Sequence, residues 1–340
     1  MQIEQICKKT AITIETNNLR GGDDVELVTR SLNRLIEHLQ SQTIGLHQLA
    51  QVVITHDGLP KETCQSIEQL AGYKIDFVQI EDSTGYYEAK NIGFDATNKD
   101  NCDYVVFADS DCIPDKHWLE QILLPFSKHP ETSVVAGRTS YPANLVGTAL
   151  TTLDFMYFRN ALGANTTSNF YANNVVFRRD VFERYRYQTI SGMYRGHCQV
   201  MGMHLINDGV PIIYTALAHT QHRLPDTRRQ ALKLRWIRGQ DSVELTPHII
   251  HTHIHRRWRW LARSGPIGPL CVMFGRLGYS LKALNRQDMP MVKGVRRLTA
   301  YGFIIGFSLV DTLGAFARSI GINTVGRAAA DAKSLSYHGQ

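Results

Sequence analysis

Between residues 11 and 108 four short apolar runs recur, each parted from the next by a stretch long enough for a helix and its turns. The runs are Ala11–Glu15 (AITIE), Gln51–Thr55 (QVVIT), Ile75–Ile80 (IDFVQI) and Tyr104–Ala108 (YVVFA). In the first gap Val25–Gln40 carries apolar residues three and four apart, the period of an amphipathic helix. Thr63–Ala71 and Tyr86–Thr97 read as helices in the next two gaps. Tyr104–Ala108 has no polar interruption, as expected for a strand covered on both faces. Alternation of this kind predicts an α/β fold: a doubly wound, mainly parallel sheet flanked by helices. Ligands of such sheets bind beyond the carboxyl ends of the strands. Those ends are Glu15-Thr16-Asn17-Asn18, Asp57-Gly58 and Asp109-Ser110-Asp111, three polar turns expected to face one crevice.

The second half is less regular. Val134–Tyr141, Asn174–Phe177 and Ile212–Thr215 read as strands, Arg179–Tyr185 and Val200–Asp208 as helices, and Arg228–Gly239 as a basic helix. Charge divides the chain: residues 1–244 hold 24 Lys and Arg against 28 Asp and Glu, whereas residues 245–340 hold 13 against 3. A mildly acidic body over 1–244 and a basic, apolar helical extension over 245–340 are therefore expected, with an anionic partner for the extension alone. The six cysteines form no CxxC pair, so neither a zinc knuckle nor a disulfide framework is indicated, and no apolar signal segment opens the chain. Both features predict a reduced, cytoplasmic setting.

Two aspartates one residue apart after a buried strand repel each other unless a cation neutralises them. A hard divalent ion such as Mg²⁺ or Mn²⁺ takes carboxylate oxygens together with substrate phosphates, which suits Asp109 and Asp111 at a crevice. The alternative is a helix N-cap, since Asp and Ser favour that position and a helix begins near Trp118.

Several motifs, in order, weigh on this choice. Val105–Glu120 (VVFADSDCIPDKHWLE), Ala89-Lys90-Asn91-Ile92-Gly93, Ile54-Thr55-His56-Asp57-Gly58, Ile14–Asn18 and Phe170–Arg179 together resemble the family 2 glycosyltransferases of the GT-A fold, over about residues 10–240. The resemblance implies transfer of a sugar from a nucleoside-diphosphate donor. It implies Mg²⁺ or Mn²⁺ on Asp109 and Asp111, with His222 where many members place a third ligand. It further implies that Thr16, Asn18 and Asp57 hold the nucleoside and that Lys90 lies near the diphosphate. Taken singly, Asp57-Gly58 is also ordinary turn chemistry, Lys90 a solvated helix residue and Asn173-Asn174 a turn before a strand.

The resemblance breaks in two places. Where many members carry Gly-Glu-Asp ahead of a helix, this chain has Gly196-His197-Cys198, so both acids are missing. Three explanations compete: His197 is the general base, the enzyme retains configuration and needs none, or the domain binds a nucleotide sugar without turning it over. The Q-x-x-R-W element of polymerising relatives is reduced to Leu232-Lys233-Leu234-Arg235-Trp236, which favours one sugar per cycle. Arg235 is a candidate for the donor diphosphate or acceptor; a plain basic helix surface is the alternative.

In the extension, Trp258 and Trp260 stand among arginines, and Leu298–Ala317 is a twenty-residue run whose one charge is Asp311. Length would permit a membrane span, but Asp311 opposes it, so interfacial helices on anionic lipid are expected, with a homodimer as the alternative and nucleic acid disfavoured. The expected protein is a metal-dependent glycosyltransferase on the inner face of the membrane, acting on a lipid or lipid-linked glycan. A silent nucleotide-sugar-binding module and a nucleotidyltransferase are its rivals.

Overall fold

Period-two alternation within the buried runs sets the architecture. In the computed structural model, which describes residues 2–16, 25–286, 289–290 and 292–324, β1 (Thr10–Glu15) turns Ile12 and Ile14 toward α2 (Val25–Gln40), while Thr13 meets the opposite layer. The helix α1 (Ile3–Cys7) precedes it. Then follow β2 (Gln51–His56), α3 (Lys61–Ala71), β3 (Asp76–Gln79), α4 (Tyr86–Asp95) and β4 (Tyr104–Asp109). The strands β3, β2, β1 and β4 lie side by side in that order and are parallel, as strand–helix alternation predicts. Next come β5 (Cys112–Pro114), α5 (Trp118–Lys128), β6 (Val134–Ser140), α6 (Leu145–Asp154), β7 (Thr166–Thr167), β8 (Asn174–Arg178), α7 (Arg179–Tyr185), α8 (His197–Asn207) and β9 (Ile212–His222).

Beyond β4 the sheet continues through β8, β6, β9 and β5, with β7 against β9. Pairing there is antiparallel at β4–β8, β8–β6, β9–β5 and β9–β7, so the sheet is mixed. One face packs on α2, α3 and α5 through Leu32, Leu35, Ile36, Ile67, Leu119 and Ile122. The other carries a ring cluster in which Phe94, Phe107, Phe177 and Phe182 approach one another at centroid distances between 4.7 and 6.1 Å.

The described chain separates into two compact units. The first comprises Met1–Thr139, Tyr157–Thr189 and His204–His222; the second Ser140–Met156, Ile190–Met203 and Arg223–Gln340. A single cut at 244 is therefore not what the fold makes: residue 244 lies inside α9 (Arg228–His253), a helix longer than the basic segment expected to end at Gly239. Gly239 does not terminate α9, because it is the point of closest approach to α11 (Gly294–Ser319). A Cβ there would overlap the carbonyl of Asp311, and one at Gly314 would overlap that of Trp236. With α10 (Ile267–Ala283), the second unit buries Ala149, Leu153, Leu284, Ala300 and Ile304 together.

Candidate metal and nucleotide site

Asp109 ends β4 on the same face as Phe107, by strand alternation. That face is covered by α4, which comes close because Gly93 lies over Thr13 and Thr55; a Cβ on Gly93 would stand 3.2 Å from the Thr55 methyl. Close packing brings Lys90, one turn earlier, to the strand end. Its Nζ lies 2.5 Å from Asp109 Oδ1 and donates to the Ala108 carbonyl at 3.1 Å. The Tyr86 hydroxyl donates to Asp109 Oδ2 at 2.7 Å. Lys90 is only 1 % exposed, and its ammonium stands over the rings of Tyr86 and Phe107 at 5.0 and 5.8 Å. Burial first, then the charge of Asp109, pushes the Tyr86 hydroxyl well above its ordinary pKa, so it remains a donor. Asn91, next to Lys90, bonds the Tyr187 backbone in both directions at 2.8 and 3.2 Å. The Ala-Lys-Asn-Ile-Gly element thus has three jobs: charge pairing, loop anchoring and close packing. Tyr86 was not singled out from sequence; it precedes Lys90 by four residues, the spacing that shares a helix face.

The chain leaves β4 through Ser110, whose N–H donates to Glu15 O at 3.0 Å, and enters β5 at Cys112. β5 pairs with β9 in a register that sets Cys112 opposite His222. Asp111 Oδ2 is then 3.5 Å from His222 Nε2, and the Cys112 thiol lies 3.7 Å from Asp111 Oδ1. Each of the three brings one ligand atom within 4.8 Å of the others. An N-cap role for the acid pair is excluded, since β5 intervenes before α5, whose N-cap is His117. The two acids have separate surroundings: Asp109 is held on both oxygens by Lys90 and Tyr86, while Asp111 stands in the Asp–Cys–His group. Of the three residues expected to ligate, Asp111 and His222 come together. A carboxylate and an imidazole beside strand ends fit a divalent ion such as Mn²⁺, which would complete its coordination with phosphate oxygens.

Thr16 and Asp57 occupy the adjoining ends of β1 and β2, where Glu15 is in register with Thr55. The buried Thr16 hydroxyl donates to the Thr55 carbonyl at 2.8 Å and so ties the two strand ends together. Gly58 follows Asp57 at φ 146°, a backbone conformation that favours glycine. Asn18, expected beside Thr16, lies outside the described residues.

Comparison with known proteins bears on this constellation. Residues 28–186, which contain Asp57, Lys90, Asp109 and Asp111, match the model of glycosyl transferase family 2. Over residues 28–186 the chain is a family 2 glycosyltransferase domain. The fold is that of a mannosyltransferase, PcManGT from Pyrobaculum calidifontis, solved with GDP-Man and Mn²⁺: the two are 14 % identical at a TM-score of 0.55, over 97 % of this chain and 88 % of the other. TarS 1–349 from S. aureus is 12 % identical at a TM-score of 0.48, over 92 % of each chain. No curated protein sequence matches.

Two residues expected in the glycosyltransferase site have other surroundings, and both belong to the second unit. Arg235 is buried with its guanidinium committed to Asp311, through Nε at 2.7 Å and through Nη2, and to Asp154 through Nη1. Arg238 also pairs with Asp154, and the Tyr141 hydroxyl donates to that carboxylate at 2.9 Å. Arg235 is therefore corrected from a diphosphate contact to the centre of a buried ion cluster joining α6, α9 and α11. His197 opens α8 and is buried; burial lowers its pKa to about 4, so the imidazole is neutral near pH 7 and a weak proton acceptor. That environment opposes its expected role as general base. Among the residues of the Phe170–Arg179 segment, Asn174 accepts from Trp118 Nε1 at 2.8 Å and donates to the carbonyls of Arg138 and Ala218 at 2.9 and 3.1 Å. It clamps neighbouring strands.

Proposed function

We propose that this protein transfers one sugar per cycle from a nucleoside-diphosphate donor to a lipid or lipid-linked glycan at an anionic membrane surface. Asp111 and His222, drawn together by the β5–β9 register beside the ends of β1, β2 and β4, carry the proposal. A divalent ion held by these two residues would neutralise the charge that develops on the departing diphosphate. The chain's own residues then have distinct tasks. Asp57 borders the nucleoside end, and Thr16 fixes the two strand ends on which it would lie. Lys90 and Tyr86 hold Asp109 in one orientation, so the floor of the crevice does not reorganise when the donor arrives. GDP-Man in the fold-mate supports this donor class, while the choice of base and sugar is left to experiment. The reduced Q-x-x-R-W element favours single transfer.

Support for the membrane comes from the second unit. Trp258 and Trp260 are exposed beside Arg256, Arg257 and Arg259, with Arg257 over the Trp258 ring at 5.5 Å. α11 is long and apolar enough to cross a bilayer, yet its Asp311 is neutralised by Arg235 within the unit, so the helix has a packed side and an apolar outer side. That asymmetry suits an interfacial helix.

Thermal shift with UDP-, GDP- and dTDP-sugars in the presence of Mn²⁺ tests the donor. One of them should raise Tm, since a ligand at a hundred times its Kd stabilises by ~2.7 kcal/mol. Asp111→Asn should abolish that rise while melting normally without ligand. If no sugar nucleotide binds or is consumed, the proposal fails.

A further inference from the structure

We propose that Cys112 is the third protein ligand of the metal centre, and that the centre therefore holds Zn²⁺ or Co²⁺ more tightly than Mg²⁺. The inference depends on Asp111 and His222 being metal ligands, as proposed above, and adds a sulfur to them.

The spacing of carboxylate and imidazole suits a four-coordinate, zinc-like ion. Ligand bonds of ~2.0–2.3 Å at tetrahedral angles hold neighbouring donor atoms ~3.3–3.8 Å apart. The small octahedral site of Mg²⁺, with bonds of ~2.1 Å, would draw them to ~3.0 Å. Asp111 Oδ2 to His222 Nε2 is 3.5 Å, in the first range; Cys112 Sγ lies 3.7 Å from the other oxygen, Oδ1, and one donor atom from each of the three residues falls within 4.8 Å of the others. The strand register fixes Cys112 opposite His222, so the sulfur is part of the site's frame.

The surroundings of the sulfur point the same way. Asn173 Nδ2 donates to Cys112 Sγ at 3.4 Å, while Asn173 Oδ1 faces the Thr139 hydroxyl at 3.2 Å, which fixes the amide with its N–H₂ toward sulfur. Donors placed behind a ligand in this way orient it and stabilise the charge it carries once bound to metal. One carboxylate, one imidazole and one thiolate make three protein ligands, which leaves a fourth position for a substrate oxygen. Thiolate and imidazole select borderline ions, whereas Mg²⁺ prefers oxygen alone.

Cobalt reports the ligand set without any turnover. Chelator-treated full-length protein titrated with Co²⁺ should develop a thiolate-to-cobalt charge-transfer band and the intense visible spectrum of a tetrahedral ion. Zn²⁺ should bleach both, and excess Mg²⁺ should not. Cys112→Ser should lose the charge-transfer band, and Asn173→Ala should weaken Co²⁺ binding by about tenfold. If the serine variant folds poorly, zinc X-ray absorption on the unaltered protein decides the matter, with one sulfur expected at ~2.3 Å. An octahedral cobalt spectrum without the sulfur band, or zinc with only nitrogen and oxygen neighbours, would overturn the inference. Mn²⁺-supported donor consumption alongside that result would leave the glycosyltransferase proposal intact. A sulfur-ligated ion in a protein that binds no sugar nucleotide would do the reverse.

Discussion

At Asp109 a carboxylate ends a buried strand, and the cost of burying it is met by one lysine that is itself almost completely buried. Removing one partner of such a pair leaves an uncompensated charge, which typically costs ~3–5 kcal/mol. Lys90→Met should therefore destabilise the protein by about 3 kcal/mol. The double change Lys90→Met with Asp109→Asn should recover much of that loss, since it removes the orphaned charge. Urea melts of the four variants in the cycle measure the coupling, and strictly additive effects would show that the pair is not coupled. Asp241 has the opposite balance. Its carboxylate accepts from the N–H groups of Tyr194 and Arg195 at 2.8 and 2.9 Å, and Arg195 and Arg238 also favour its charge. Burial outweighs all of these and lifts its pKa to about 7. The folded state thus binds this proton more tightly than the unfolded chain, whose Asp titrates near ~3.9. Its contribution to stability is complete below about pH 4 and is lost as pH rises through about 7. Urea midpoints between these limits should fall with rising pH more steeply in the unaltered protein than in Asp241→Asn.

Elements were legible where one period ran unbroken. Val25–Gln40 was read to the residue because its apolar stripe is uninterrupted, and β1, β2 and β4 each fell within a residue because both faces are covered. β9 was read to end at Thr215 and runs to His222. Its last residues are polar in sequence, and what keeps them extended is β5, a three-residue partner from a distant part of the chain. That same long-range pairing sets His222 against the consecutive Asp111 and Cys112, so the place of the sulfur beside the imidazole was hidden until the register was known. Gly239 looked like a helix stop for a related reason: glycine ends helices, but it also admits a neighbouring backbone, and only packing distinguishes the two. Gly239→Ala and Gly314→Ala should each destabilise the protein by ~1–3 kcal/mol, because the added methyl meets a carbonyl of the facing helix. Gly302→Ala, on the same α11 with open space around it, should be neutral or stabilising by up to ~1 kcal/mol. Equal effects at all three positions would mean that α9 and α11 do not touch as described.

For the molecule as a whole, the charge imbalance between body and extension predicts an anionic partner, and the second unit leaves one apolar surface of α11 uncovered. Val295, Leu298, Ile305, Leu309, Leu313, Phe316 and Ile320 are all exposed and recur three, four or seven residues apart, so they form one outward stripe on α11. The opposite side of the helix, with Ala300, Ile304, Ser308, Asp311 and Ala315, is buried. An exposed apolar stripe of this length in water marks an interaction surface. Arg256, Arg257 and Arg259, with Trp258 and Trp260 beside them in sequence, favour anionic lipid as its partner, since each basic residue near such a surface adds ~1 kcal/mol. The full-length protein should therefore sediment with vesicles containing phosphatidylserine and remain in solution with phosphatidylcholine alone. Raised salt should weaken the first result. Leu309→Glu with Leu313→Glu should abolish vesicle binding without lowering Tm, because neither side chain takes part in the packed face. If instead the double change converts a dimer to a monomer and vesicle binding survives, the stripe joins two copies of the chain and the membrane proposal is wrong.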